Sequence, residues 1–211
     1  MNLALFDLDN TLLPIDSDYT WGEFTSRIGW NDPVAFKAKN DRFYADYLAG
    51  VLDIHDYVRF ATEAVRLKGP EAAAKAHAQF MQETILPQIK PQALELVKEH
   101  QAAGDHVMIV TATNEFVTRP IAQAFGVQEL IAVELARDSE GGITGEISGV
   151  PSFKEGKVLR VEQWLSAHQK TWQDVQITFY SDSINDLPLL QQAQIPVAVN
   201  PDTCLRQLAT D

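Results

Sequence analysis

The chain has 211 residues, of which 45% are hydrophobic, a formal net charge of −12 and one cysteine, Cys204. That size and apolar content exclude a disordered chain and suit one domain or a core with a smaller insert, while a lone cysteine excludes a disulfide framework. The acidic balance excludes a nucleic-acid backbone as partner, and with no long apolar run and no basic-then-apolar N-terminus, a membrane span and a secretory leader are not expected and a cytoplasmic location is.

The first element is the apolar run Leu3–Phe6, read as a buried parallel strand. It ends on Asp7 and Asp9, whose side chains point the same way on an extended chain. Residues 16–86 then exceed what a parallel crossover needs. They are rich in helix formers and aromatics, and breaks at Gly29–Asn31–Pro33, Gly50 and Gly69–Pro70 predict about four helices. This insert reads as a helical subdomain with its own small core, and as a lid over the strand ends. A further helix, from Pro87 to Ala103, returns the chain to the sheet.

The later runs Val107–Val110, Leu130–Leu135, Ile177–Tyr180 and Pro196–Val199 are expected strands. Asn114–Phe125, Gly156–His168 and Ile184–Ala193 are expected helices between them. Residues 136–149, around Gly141–Gly142, read as a β-hairpin flap at the sheet edge. Alternation of this kind predicts an α/β fold, a doubly wound Rossmann-like parallel sheet. Residues 1–15 and 87–211 form its core and 16–86 the insert. Such sheets bind ligands beyond the carboxyl ends of their strands. Polar residues follow each of these strand ends: Asp7 and Asp9, Thr111 with Thr113 and Asn114, Ser181 to Asp186, and Asn200 with Asp202.

Two adjacent carboxylates resist joint ionisation unless a cation offsets their charge. Asp182 and Asp186 add to the same edge. An oxygen-only donor set suits Mg²⁺, a hard ion that keeps several waters. The five histidines lack zinc spacing. Calcium-loop spacing fails as well, because the positions that need glycine and glutamate hold Leu12 and Asp18, counted from Asp7. A carboxylate beside Mg²⁺ can attack a phosphoryl group, and a second can shuttle the proton. Thr111, the backbone N–H groups around Ala112 to Asn114, and Lys154 or Lys157 can offset the charge on the phosphate oxygens.

Asp7-Leu-Asp-Asn-Thr11, the run closing on Thr111, a lysine at a helix start, and Ser181-Asp-Ser-Ile-Asn-Asp186 resemble the four motifs of the haloacid dehalogenase superfamily. The insert after the first motif is similar to the type-1 cap of its phosphoserine-phosphatase-like branch. The resemblance implies an Mg²⁺-dependent phosphatase with Asp7 as nucleophile and Asp9 as acid/base. It places phosphate on Thr111, Lys157 and Asn185, with Lys154 the weaker lysine. It places Mg²⁺ on Asp7, the Asp9 carbonyl and Asp182, with Asp186 supporting the metal shell.

In the same resemblance Asp16 would hold a substrate amine and Arg59 a substrate carboxylate. Read from spacing alone, Asp16, Ser17 or Asp18 instead caps the next helix, and Arg59 is a surface charge. The wider wording is similar to a bacterial group that includes histidinol-phosphate phosphatases. That substrate has an amine and an imidazole but no carboxylate, which suits an acidic, aromatic cap carrying Asp16, Asp18 and Trp21. The alternatives are phosphoserine as substrate and, in another class, a phospho-aspartate signalling switch. The partner expected is a small phosphomonoester, with no membrane and no nucleic acid.

Overall fold

A computed structural model describes residues 1–210. Its centre is a five-stranded, all-parallel sheet in the order β3-β2-β1-β6-β7. The strands are β1 (Asn2–Phe6), β2 (His106–Asn114), β3 (Glu129–Val133), β6 (Gln176–Ser181) and β7 (Ile195–Ala198). The chain runs from β1 outward to β3, then crosses to β6 and β7 on the other side of β1. The topological switch, and so the ligand crevice of such a sheet, therefore lies at the carboxyl end of β1.

Period-two alternation decides which face each side chain serves. Leu3 and Leu5 of β1 join Met108, Val110, Ile177 and Phe179 in one core. Ala4 and Phe6 join Ile109 in the other. The first core is covered by α8 (Glu155–Ala167) through Val161 and Leu165, and by α9 (Leu187–Gln192). Leu205 of α10 (Thr203–Thr210) also packs there. The second core is covered by α6 (Pro91–Ala102) and α7 (Glu115–Ala124). Helices on both faces of a parallel sheet are the doubly wound arrangement expected from the alternation.

The insert forms α1 (Ser17–Arg27), α2 (Pro33–Leu48), α3 (Ile54–Ala61), α4 (Glu63–Lys68) and α5 (Pro70–Phe80), one helix more than the breaks in the sequence suggest. The extra boundary is at Thr62, whose hydroxyl donates to the Val58 carbonyl at 2.6 Å and competes with the helical ladder. A π-turn (Met81–Ile85) and a 3-10 turn (Leu86–Gln88) lead to α6. Trp21, Phe24 and Phe80 do not form a separate insert core; they join the sheet-face core with Phe6 and Ile109. Phe36, Phe43, Tyr57 and Phe60 pack on one another further out.

The hairpin also differs from expectation. The run Leu130–Leu135 divides, so that β4 (Leu135–Arg137) pairs antiparallel with β5 (Ile143–Ile147) in a separate two-stranded sheet. That sheet packs against α3 and α4 instead of extending the main sheet. Among the described residues, no helix is long and apolar enough to cross a membrane.

Candidate active site

Asp7 lies where β1 ends, its N–H still bonded to the Tyr180 carbonyl at 2.9 Å. The chain then turns tightly. The N–H groups of Thr11, Leu12 and Leu13 all point at the Leu8 carbonyl, and Asn10 takes φ 59°, a left-handed conformation that asparagine tolerates. This turn delivers Asp9 to the start of α1. There its carboxylate accepts from the Ser17 backbone N–H at 2.7 Å and from the Thr113 hydroxyl at 2.8 Å.

Lys157, in the first turn of α8, is only 1% exposed. Its Nζ lies 2.8 Å from Asp7 Oδ1 and 2.7 Å from the Asp186 carboxylate. The Ser181 hydroxyl also donates to Asp186, at 2.7 Å. The Thr11 hydroxyl lies 3.4 Å from Asp7 Oδ2 and 3.2 Å from Asp182 Oδ1, so the two carboxylates flank one donor. Thr111 ends the straight part of β2. Its Oγ accepts from the Thr113 N–H at 3.1 Å, which leaves its own hydrogen free to donate.

Burial is the main force on the charges. It pushes Asp7 up to about 7, helped by the Asp186 and Asp9 charges and opposed by Lys157. Asp9 rises to about 7, again by burial and then by the Asp16 charge, against its two hydrogen bonds. Asp182 rises to about 8 through burial and the charges of Asp7 and Asp186. Burial alone would lower Lys157, but the Asp186 and Asp7 carboxylates outweigh it and hold the ammonium above the usual lysine value. Two carboxylates, Asp7 and Asp186, pair with this one lysine, and the charge of Asp182 adds to theirs, which leaves an excess of buried negative charge. Asp7 and Asp182, with Asp186 behind them, are the side chains that could hold a cation.

Above Asp7 and Thr111 a cavity opens beneath α1, α2 and α3. Its walls include Asp16, Asp18, Tyr44, Tyr47 and Tyr57, and no Lys or Arg side chain is among the described residues lining it. Asp16 caps α1 by accepting from the Tyr19 N–H at 2.8 Å while also lining this cavity. Burial and the Asp18 charge push it up to about 6, against the helix-end hydrogen bonds.

The remaining expected site residues lie elsewhere. Asn185 turns its Nδ2 to the Tyr47 carbonyl of the insert, at 2.9 Å. Lys154 donates to the Gly50 carbonyl, so of the two lysines only Lys157 meets Asp7. Arg59 is exposed, 2.9 Å from Glu146 Oε1 and 2.8 Å from Asp56 Oδ1, and does not line the cavity. Trp21 is 2% exposed within the sheet-face core, so the aromatic wall belongs to the tyrosines of α2 and α3. Those tyrosines carried no motif in the sequence. Their signal was only an excess of aromatics on a short insert.

Residues 4–191 match the haloacid dehalogenase-like hydrolase family. A protein from Neisseria meningitidis serogroup C (strain 8013), described as histidinol-phosphatase, is 43% identical over 211 residues, 100% of this chain and 95% of the relative. A crystal structure of a protein of unknown function from Bordetella pertussis Tohama I superposes with a TM-score of 0.92 at 45% identity, covering 99% of this chain and 94% of that one. A substrate-bound phosphoserine phosphatase shares the fold with a TM-score of 0.66 at 18% identity, covering 97% and 89%. The chain is a phosphatase that belongs to the haloacid dehalogenase-like hydrolase family.

Proposed function

We propose that this phosphatase hydrolyses a small, cation-bearing phosphomonoester, L-histidinol phosphate fitting best, through a phosphoryl group carried on Asp7. The observation that carries this reading is the cavity above Asp7, acidic and tyrosine-lined, with no Lys or Arg among its described lining residues. A substrate ammonium or imidazolium meets carboxylates and aromatic faces there. The carboxylate of phosphoserine would meet Asp16 and Asp18 without a cation, and Arg59 is engaged by Asp56 and Glu146. The Neisseria relative described as a histidinol-phosphatase supports the same choice.

In this reading the helical insert, residues 16–86, is the cap over the site. Asp7 attacks phosphorus and displaces the alcohol. Lys157 and the Thr111 hydroxyl balance charge on the phosphoryl oxygens. Asp9, fixed by Ser17 and Thr113, protonates the leaving alkoxide and then takes a proton from the water that cleaves the aspartyl-phosphate. Its carboxyl, pushed to about 7 by burial, suits both directions near neutral pH.

The surplus of buried carboxylate over Lys157 and the all-oxygen donor set fit Mg²⁺, held by Asp7 and Asp182 with the Asp9 carbonyl and Asp186 in support. Among the described residues no three His, Cys, Asp or Glu side chains converge as a ready-made metal cluster. When bound, the ion supplies Lewis-acid stabilisation of the phosphoryl oxygens.

The test is phosphate release from L-histidinol phosphate, L-phosphoserine, sugar phosphates and an aryl phosphate, with and without Mg²⁺. Mg²⁺-dependent turnover with the highest kcat/KM on histidinol phosphate is expected. A phosphoserine preference would overturn the substrate assignment. A stable acyl-phosphate on Asp7 without turnover would indicate a signalling switch instead.

A further inference from the structure

Asp18 is not required by the mechanism above, yet it is one of the most deliberately held carboxylates in the molecule. It lies in the first turn of α1, is 5% exposed and lines the cavity. Two other elements converge on it. Asn114, at the end of β2, donates Nδ2 to both oxygens, at 3.2 and 3.3 Å. The orientation of that amide is set by its other end, because Asn114 Oδ1 accepts from the Val117 N–H at 3.2 Å and caps α7. The Tyr57 hydroxyl, from α3, makes the remaining side-chain hydrogen bond.

An ionised carboxylate has about four acceptor positions. One shared amide hydrogen and one phenol leave acceptor capacity unused, and no lysine or arginine among the described residues lines the cavity to use it. Asp18 is therefore a fixed acceptor aimed at whatever fills the cavity. Asp16, which also lines the cavity, suits the amine of the substrate. A second carboxylate on the same wall needs a second N–H group.

We propose that Asp18 is a specificity-determining residue that accepts a hydrogen bond from a ring N–H of the substrate, selecting a nitrogen heterocycle over a hydrocarbon ring. This rests on the reading of the substrate as an amine-bearing imidazole phosphate. Discrimination of this type is strong, since a site built to bond an N–H leaves its own buried acceptor unpaired when that group is missing.

The experiment compares L-histidinol phosphate with L-phenylalaninol phosphate, which keeps the amine and phosphate but lacks ring nitrogen, and with an aryl phosphate as control. Wild-type enzyme is expected to favour histidinol phosphate over the phenyl analogue by about 100-fold or more in kcat/KM. In Asp18→Ala, which removes the acceptor, that ratio is expected to fall about tenfold or more, with a smaller loss on the aryl phosphate. Asp18→Glu, which keeps the charge but displaces it, is the second variant should Asp18→Ala not fold, and a similar fall in the ratio is expected. A ratio unchanged in the folded variant, or equal losses on all three substrates, would overturn the role of Asp18 while leaving the substrate assignment intact. A wild-type enzyme without ring preference would overturn both.

Discussion

The Asn185 side-chain amide donates to the Tyr47 main-chain carbonyl at 2.9 Å, tying the loop after β6 to the last turn of α2. Two neighbouring contacts strengthen that tie. Tyr47 stacks obliquely against Phe153, with ring centroids 5.9 Å apart, and the Lys154 ammonium donates to the Gly50 carbonyl. Lys154 holds φ at 53°, a strained value for a side-chain-bearing residue, and Gly50 reaches the contact at φ 70°. The α2–α3 connection is thus latched onto the loop that leads into α8, the helix of Lys157, and onto the loop that carries Asp182.

Lys154→Met should loosen that latch without touching Asp7. Losing a charged donor from a half-buried bond is worth about 1.5–3 kcal/mol at most. Hydrogen exchange of residues 44–54 should accelerate, and KM should rise severalfold while the global melting temperature moves little. Unchanged exchange in that segment would show that the contact does not hold the insert.

Asp7→Asn should abolish turnover and leave the fold intact. An amide cannot form the acyl-phosphate. Lys157 keeps Asp186 as its partner at 2.7 Å, so it is not left buried and alone. Removing one of three crowded carboxylates should hold or raise the metal-free melting temperature. Residual turnover above about a thousandth of wild type would sink the assignment of Asp7 as nucleophile.

The metal-free protein should lose stability as pH rises. Burial pushes Asp7 and Asp18 up to about 7 and Asp182 up to about 8. The same groups ionise near pH ~4 when unfolded. Between those values the folded chain binds more protons than the unfolded chain, so unfolding free energy falls with increasing pH. For Asp7 and Asp18 the slope is up to about 1.4 kcal/mol per pH unit each while they titrate. Melting temperature should drop between about pH 5 and 8, and Mg²⁺ at the upper end should recover part of the loss. A metal-free melting temperature that climbs over this interval would contradict the buried-charge reading.

The convergence of Asp7, Asp9, Thr111 and Asp182 on one edge was legible in the sequence because each follows an apolar run whose direction a parallel sheet dictates, whereas Lys157, at the start of α8, came only from the resemblance. Strand ends converge by topology, so a linear pattern becomes a spatial one. The insert offered no such rule. Whether Trp21 faces substrate or core depends on how α1 docks, and α1 docks by burying Trp21 against Phe80 and Phe116. Spacing likewise could not say that Arg59 would be met by Glu146, which lies 87 residues later on β5.

Arg59→Ala should therefore cost little. Both of its ion pairs are solvent-exposed, a setting in which such pairs contribute little to stability. KM for histidinol phosphate and for phosphoserine should stay within about twofold. A selective rise in KM for phosphoserine would place a carboxylate near Arg59 after all and would require α3 to swing inward.

Asp16 both caps α1 and lines the cavity, and two substitutions separate the consequences of the two positions. As the cap of α1 it accepts from the Tyr19 N–H, and Asp16→Ala should cost about 0.5–2 kcal/mol of stability. Asparagine caps helices as well as aspartate does, so Asp16→Asn should keep that stability and remove only the charge. If the carboxylate also holds the substrate amine, both variants should raise KM for histidinol phosphate about tenfold or more, and neither should do so for an aryl phosphate. A loss confined to Asp16→Ala, equal on both substrates, would return Asp16 to helix capping alone. The decisive comparison is thus Asp16→Asn, where helix integrity and substrate charge recognition part company.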